Sequence, residues 1–372
     1  MPDRVVVATH EVTRTGAPMS LLHLLRWLVA ETDLEVTVVV AGPGKDGGQL
    51  LGEFEAVAPT VVAPELFAVD GTATLPPCDV LYVNSVFAAG CLRHLPDPPP
   101  YVISRVPELS MAIRQLTDAD GRTELFERTD RYVAVSQAVR RVLIDEHGVD
   151  EGAIAVVPGA VDLEAVAPPS AADVAARRAE LGVPADGFLV GGAGTTDWRK
   201  GPDLFVRVAM AVAERLGGPS AHFAWLGGEA GGPAFWRAEN RVRTGNAPPV
   251  HFLGSRPDPF AWFGALDLFA LTSREDPFPR VVMENAALGV PVVTFDNGGA
   301  PELVAKGCGV TVAYLDVEAM ADAIVGLLRD PGRRAELGAR GREVVRAEHT
   351  VETGGPATLA EIERGLARAG TR

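Results

Sequence analysis

Short apolar runs rich in valine recur along this chain, and between them lie longer stretches whose apolar residues repeat at helical spacing. RVVVAT at Arg4–Thr9, EVTVVV at Glu35–Val40 and VLYVN at Val80–Asn84 are too short for helices and apolar over most of their length. A strand buried on both faces needs that pattern, and parallel sheets covered by crossover helices supply it. Between the first two runs, Ser20–Glu31 carries Leu21, Leu24, Leu25 and Leu28 on one helical face. The chain is therefore expected to be an α/β protein built from βαβ units.

The pattern comes in two series. The first continues through strands at Val61–Val62, Tyr101–Ile103 and Arg131–Val135. The second opens at FLVGGA near Phe188 and runs through HFAWLG, PVHFLG, LDLFALTS and PVVTFD, with helices over Pro202–Leu216 and Pro279–Leu288. Between them lies EAVAPPSAADVAARRAELGVPADG, rich in Ala and Pro, so Leu163–Gly187 reads as a partly helical interdomain region. A length of 372 residues also suits two domains of roughly 150–200 residues better than one core.

Charge and cysteine content remove several functions. With 49 acidic against 34 basic residues the net charge is -15, the wrong sign for neutralising a phosphate backbone or an anionic membrane. The three cysteines, Cys78, Cys91 and Cys308, have neither CxxC spacing nor neighbouring histidines, so free buried thiols are expected rather than disulfides or zinc. The first apolar run is too short for a signal peptide or a membrane span, and the expected location is cytoplasmic.

Ligands of open α/β sheets bind beyond the carboxyl ends of the strands. The loops Thr9–Pro18, Asn84–Gly90, Gly194–Gly201, Ser273–Pro279 and Asp296–Pro301 are therefore where function is sought. The richest stretch is TSREDPFPRVVMENAALGVPVVTFDNGGAPELV, from Thr272 to Val304. Asp276 sits in a loop and Glu284 eight positions later in the next helix. After the PVVTFD strand, Asn297-Gly298-Gly299-Ala300 feeds a helix opened by Pro301-Glu302, and such a turn presents free backbone N–H groups to a diphosphate or sugar oxygens. Upstream, GGAGTTDWRKGPDLF places Arg199-Lys200-Gly201 between a strand and a helix. Taken singly, Asp276 also fits a turn former, Glu284 a solvent-facing helix residue and Arg199-Lys200 a charged loop.

Together these pieces resemble family four of the retaining glycosyltransferases. The matching elements are Asp276 and Glu284 with seven residues between them, the strand Gly289-Val290-Pro291-Val292-Val293, the turn Gly298-Gly299-Ala300-Pro301-Glu302, and the Arg199-Lys200-Gly201 segment. The resemblance implies that Glu284 holds the ribose hydroxyls of a nucleotide and Asp276 the donor sugar, each carboxylate accepting from a diol. It implies that Lys200, with Arg199, holds the diphosphate and stabilises its charge as the sugar leaves. Glu275, one residue earlier, is a candidate to take over part of the Asp276 role, and Phe278 in the same turn is a further binding candidate. Gly227 and Gly254, at the ends of AWLGGE and VHFLGSR, would give backbone contacts around the base, with Arg256 stacking on it.

The resemblance is weaker in the first half. Gly16, in Thr13-Arg14-Thr15-Gly16-Ala17-Pro18, stands in the family's glycine-rich first loop. Val106-Pro107-Glu108-Leu109 stands where the family reads V-H-E-L, so Pro107 replaces the usual His, and Gly194 replaces an Arg common six residues before the Lys. Asp276-Pro277-Phe278-Pro279 replaces a Glu followed by a turn ending in Gly. Thr195, Thr196 and Arg199 are candidates to compensate for Gly194. His10, Arg105 and Glu108 also end strands and remain candidates. Ala134-Val135-Ser136 and Val156–Asp162 follow the family's order up to the linker.

Two competing motifs fail. Gly191–Gly194 lacks the spacing of a dinucleotide fingerprint, and Asp118-Ala119-Asp120 has metal-binding D-x-D spacing but no preceding strand, as a solvated loop would. No metal site is expected.

The resemblance implies a GT-B fold, two Rossmann-like doubly wound domains facing across a cleft. The domains are set at 1–165 for the acceptor side and 186–345 for the nucleotide sugar, with a helical segment 346–372 that could cross back. The expected reaction moves a sugar from a nucleoside-diphosphate sugar to an acceptor hydroxyl with retention, and the acceptor is a polysaccharide, glycolipid or secondary metabolite. No cofactor is implied. The co-substrate is first a UDP-sugar, then a GDP-sugar. A catalytically idle sugar-nucleotide-binding protein and a GT-B nucleotide-sugar epimerase are the alternatives.

Overall fold

The computed structural model describes residues 3–44, 47–71, 73–97, 99–117, 119–216, 221–228 and 250–369. It divides into two units, Met1–Ala160 with Val351–Arg372, and Val161–Thr350.

The first unit holds seven parallel strands: β1 (Arg4–Thr9), β2 (Glu35–Val40), β3 (Thr60–Val62), β4 (Val80–Asn84), β5 (Tyr101–Val106), β6 (Arg131–Ala134) and β7 (Ile154–Val156). Their order is β3-β2-β1-β4-β5-β6-β7, so the winding reverses between β1 and β4. The first helix begins at Gly16 rather than Ser20. Gly16 and Pro18 fall in its first turn, where N–H groups lack helical partners and proline removes nothing useful. Leu21, Leu22, Leu25 and Leu28 of that helix are buried against the sheet. The helix Val351–Ala369 packs here too: Ile362 joins the same core, and Glu361 accepts from Arg131 Nε at 2.7 Å. Of the D-x-D motif, Asp118 lies outside the described residues and Asp120 sits in the first turn of the helix Ala119–Arg128, which corrects the loop reading.

The second unit holds six parallel strands: β8 (Phe188–Ala193), β9 (Ala221–Leu226), β10 (Val250–Gly254), β11 (Leu268–Leu271), β12 (Val292–Phe295) and β13 (Gly309–Val312). The order β10-β9-β8-β11-β12-β13 puts its reversal between β8 and β11. Alternate residues enter opposite cores: Val190, Phe223 and Trp225 on one side, Leu189, Ala224 and Leu226 on the other. Burial on both faces explains why these strands read as continuous apolar runs.

The segment 163–187 is not a free linker. Ser170 and Asp173 form a capping box on the helix Ala171–Glu180. Arg178 then ties that helix to Asp267 at 2.9 Å, and Val166 and Leu181 are buried in the second unit's core. The short strands Ile154–Val156 and Gly309–Val312, which the apolar pattern does not signal, close one edge of each sheet.

The three cysteines are free, with Cys91 and Cys308 buried. Among the described residues no helix is long and apolar enough to cross a membrane.

Candidate active site

In the second unit, the loops after β8 and β11 leave the sheet at the point where its winding reverses, which is where α/β sheets open a crevice. Gly191 and Gly192 lead into the first of them. A methyl group on Gly191 would meet Leu266 at 2.2 Å, and one on Gly192 would meet Phe205 and Trp225 at 2.8 Å. These glycines serve sheet packing, which accounts for the glycine run without a dinucleotide.

The loop 194–201 brings its lysine to the second loop. Lys200 Nζ donates to Asp276 Oδ2 at 2.6 Å, and the Ser273 hydroxyl donates to the same oxygen at 3.2 Å. The pair is largely enclosed, with side-chain exposures of 16% for Lys200 and 6% for Asp276. The Lys200 N–H donates to Asp197 Oδ1 at 3.0 Å, and the Thr195 hydroxyl donates to Asp197 Oδ2 at 2.5 Å. Gly194 has φ +141°, and a side chain there would press on the Lys200 methylenes at 3.0 Å. The stem of Lys200 thus lies over the residue where the family often carries Arg, and the backbone angle itself favours glycine.

Arg199 turns the other way, donating to the Glu275 carbonyl at 3.2 Å. Glu275 is half-buried and Phe278 tilts against His349, 5.4 Å between ring centroids. Phe278 thereby packs against the unit's own core.

The Gly298-Gly299 turn folds onto this loop. Gly299 N–H donates to the Asp276 carbonyl at 3.0 Å. A Cβ on Gly298, where φ is +69°, would meet that carbonyl oxygen at 2.0 Å, and one on Gly299 would meet the Pro277 oxygen at 2.1 Å. Only glycine permits both approaches. The turn expected to offer free N–H groups thus has that of Gly299 engaged, and it is built against the acidic residue that pairs with the lysine.

Glu284 lies on the helix Arg280–Leu288 with its side chain buried, accepting from Arg280 Nε at 2.8 Å. Burial pushes its pKa up, and Arg280 opposes that. It is not a solvent-facing helix residue. At the ends of β9 and β10, Gly227 N–H donates to the Gly254 carbonyl at 2.9 Å, while Gly194 N–H donates to the Leu226 carbonyl at 2.9 Å. The ends of β8, β9 and β10 are thus stitched by backbone. Glu229, next in the same turn, lies outside the described residues. Arg256 lies over the Trp262 ring at 5.5 Å with Glu180 at 3.7 Å, engaged by its own unit.

Sequence reasoning missed Arg274. Its guanidinium is bidentate to Asp203, at 2.9 and 2.7 Å, and donates to the Trp198 carbonyl at 2.8 Å. No periodicity signals such a loop residue; its partner is 71 positions away.

The first unit's strand ends form their own cluster. His10 stacks on Phe87 at 4.7 Å beside Glu11, whose Oε1 is 3.5 Å away; burial lowers the His10 pKa against that carboxylate. Buried Glu108 accepts from the Ser85 hydroxyl at 2.5 Å and the Val86 N–H at 3.3 Å, and Ser85 holds φ +90°. Arg105 donates to Asn84 at 3.2 Å. Gly16 opens the first helix, with nothing within 4 Å of where a Cβ would stand.

Among the described residues no three His, Cys, Asp or Glu side chains cluster as metal ligands.

Comparison with known proteins agrees with this architecture. A model of glycosyl transferases group 1 matches residues 187–330, and one of glycosyltransferase family 4 matches residues 14–165. A D-inositol 3-phosphate glycosyltransferase of Xylanimonas cellulosilytica is 32% identical over 262 residues, 66% of this chain and 61% of that protein. The same-named protein of Kineococcus radiotolerans is 35% identical over 245 residues, 59% of this chain and 54% of that protein. The chain thus spans a little over half the length of these relatives. Among solved structures, Anabaena HepE in complex with UDP-glucose has a TM-score of 0.82 at 21% identity, covering 97% of this chain and 99% of that one. The sucrose-phosphate synthase of Thermosynechococcus elongatus has a TM-score of 0.74 at 20% identity, covering 99% and 100%. The fold is GT-B, and the chain belongs to glycosyltransferase family 4 of the group 1 glycosyltransferases.

Proposed function

We propose that this protein transfers a sugar from a nucleoside-diphosphate sugar, a UDP-sugar before a GDP-sugar, to an acceptor hydroxyl with retention at the anomeric carbon. The carrying observation is the junction of Lys200, Asp276 and the Gly298-Gly299 turn at the sheet's reversal point. In the reaction, the bond from the anomeric carbon to the diphosphate oxygen breaks, and the acceptor oxygen bonds to that carbon on the same face. The acceptor's proton passes to the departing diphosphate. Lys200 offers a compact cation for the charge that grows on it, and Asp276 accepts from sugar hydroxyls once the donor competes for Lys200. Glu284, buried and carrying Arg280, is suited to the ribose diol.

Two comparisons support this reading: HepE is solved with UDP-glucose, and the inositol phosphate enzymes name a polyol acceptor. The expected place of work is the cytoplasm, with no metal required. The test is a panel of UDP- and GDP-sugars offered with and without polyol acceptors, inositol 3-phosphate included, in the presence of EDTA. Transfer or hydrolysis with an α-configured product from an α-configured donor supports it. Binding without turnover would indicate an idle binder, and an altered sugar released without acceptor would indicate an epimerase.

A further inference from the structure

Within the loop that carries Lys200, Asp197 accepts from the Thr195 hydroxyl and the Lys200 N–H, the Thr272 hydroxyl donates to the Gly201 carbonyl at its end, and Lys200 Nζ sits 2.6 Å from Asp276. Something must hold the loop at that distance. Arg274 is built for it. Its side chain is only 11% exposed. One guanidinium edge is bidentate to Asp203, in the first turn of the helix Pro202–Leu216 that follows the loop. Nη1 also donates to the Trp198 carbonyl at 2.8 Å, and the guanidinium lies over the Trp198 ring at 4.8 Å. The Arg274 N–H donates to the Arg199 carbonyl at 2.7 Å. The Arg274 carbonyl accepts from the Tyr314 hydroxyl at 3.0 Å and from Asn297 Nδ2.

One residue therefore fastens the two positions before Lys200 and the helix start after it, and ties both to the loop that carries Asp276 and the turn that carries Gly298. Its own charge is taken by Asp203, so it is not a second cation for a diphosphate. A planar fork is required, because an ammonium cannot meet both Asp203 oxygens and the Trp198 carbonyl while stacking on the ring.

We infer that Arg274, backed by Asp203 and Trp198, is the positioning residue that sets Lys200 for catalysis. The inference rests on the transfer reading above. A group that positions another acts on the rate through it, and misplacement of about 1 Å can cost a hundredfold. Arg274→Lys should therefore lower kcat by about that factor while the Kd for the nucleoside diphosphate changes only a few-fold. Asp203→Asn keeps the shape at a partly exposed position but turns one of the two acceptor oxygens into a donor facing Arg274, so it should fold normally and lower kcat in the same direction.

The deciding experiment is a double-mutant cycle on hydrolysis of whichever UDP- or GDP-sugar the wild type turns over fastest. If Arg274 acts through Lys200, adding Arg274→Lys to Lys200→Ala leaves kcat where Lys200→Ala alone put it. A further drop of the full single-mutant size would show independent action and overturn the inference, as would wild-type kcat in both Arg274→Lys and Asp203→Asn. Unchanged kcat in Lys200→Ala alone, or no turnover of any sugar, would instead overturn the transfer reading beneath it.

Discussion

Lys200 and Asp276 form an enclosed ion pair 2.6 Å long, although they stand 76 positions apart in sequence. The pair joins the loop after β8 to the loop after β11, the two strands between which the sheet reverses. Removing one partner of an enclosed pair leaves the other charge without compensation. Asp276→Asn should therefore lower stability by of order 3 kcal/mol as well as turnover, read by denaturant unfolding beside kinetics. Wild-type stability would mean that Lys200 reaches solvent freely and that the pair is incidental.

Glu284→Ala should weaken nucleoside diphosphate binding by about 1.5–3 kcal/mol, the scale of hydrogen bonds to a charged acceptor. Because burial raises the Glu284 pKa, its ionised form is lost at a higher pH than for an exposed glutamate. Affinity should accordingly decline on the acid side earlier than solvent-exposed carboxylates would dictate. Calorimetry across pH measures both, and a flat profile with unchanged affinity would remove Glu284 from the site.

Gly298→Ala should damage the site through the backbone. The residue needs φ +69°, and an added methyl would stand 2.0 Å from the Asp276 carbonyl oxygen. The left-handed angle alone costs roughly 1–2 kcal/mol, and the clash has no flexible side chain to absorb it. Loss of nucleotide binding with a lowered Tm is expected. A variant that binds as wild type would show that the turn does not face the ligand.

How much of this was open to a reader of the sequence differs by element. Buried central strands announce themselves, because burial on both faces demands runs such as Val5–Ala8. The strands at Ile154–Val156 and Gly309–Val312 are only partly buried, so their apolar pattern is thin. Ala171–Glu180 buries no residue of its own and is fixed by Arg178, so its composition reads as a linker. Asp276, Glu284 and the glycine turn are legible because they keep fixed spacing along one stretch. That Gly194 yields its place to the Lys200 methylenes, and that Arg274 locks the loop, depends on contacts between distant segments.

His222 and His251 stand on neighbouring strands with ring nitrogens 3.4 Å apart. Burial lowers both pKa values; at His222 a backbone hydrogen bond at Leu181 opposes this and Arg178 adds to it, and His222 lowers that of His251 further. The folded state thus resists charging these rings, whereas the unfolded chain takes up protons near the ordinary histidine pKa of about 6.5. Stability should hold above that pH and fall as the pH drops from there toward the lowered folded values. Denaturant midpoints from pH 8 to 5 test this, and His251→Asn should flatten the curve. An equal acid loss in that variant would place the cause elsewhere.

Turnover by Lys200→Ala, measured as donor kcat and KM against wild type, tests the transfer mechanism most directly. A cation that meets charge developing in the transition state should count there more than in the bound donor, so kcat rather than KM should change. Removing one such preorganised group commonly costs about a hundredfold to a thousandfold in kcat. Lys200→Ala should therefore bind nucleoside diphosphate within about tenfold of wild type and turn over at about 1% or less. Wild-type kcat in that variant would contradict the account, leaving Lys200 as the structural partner of Asp276 alone.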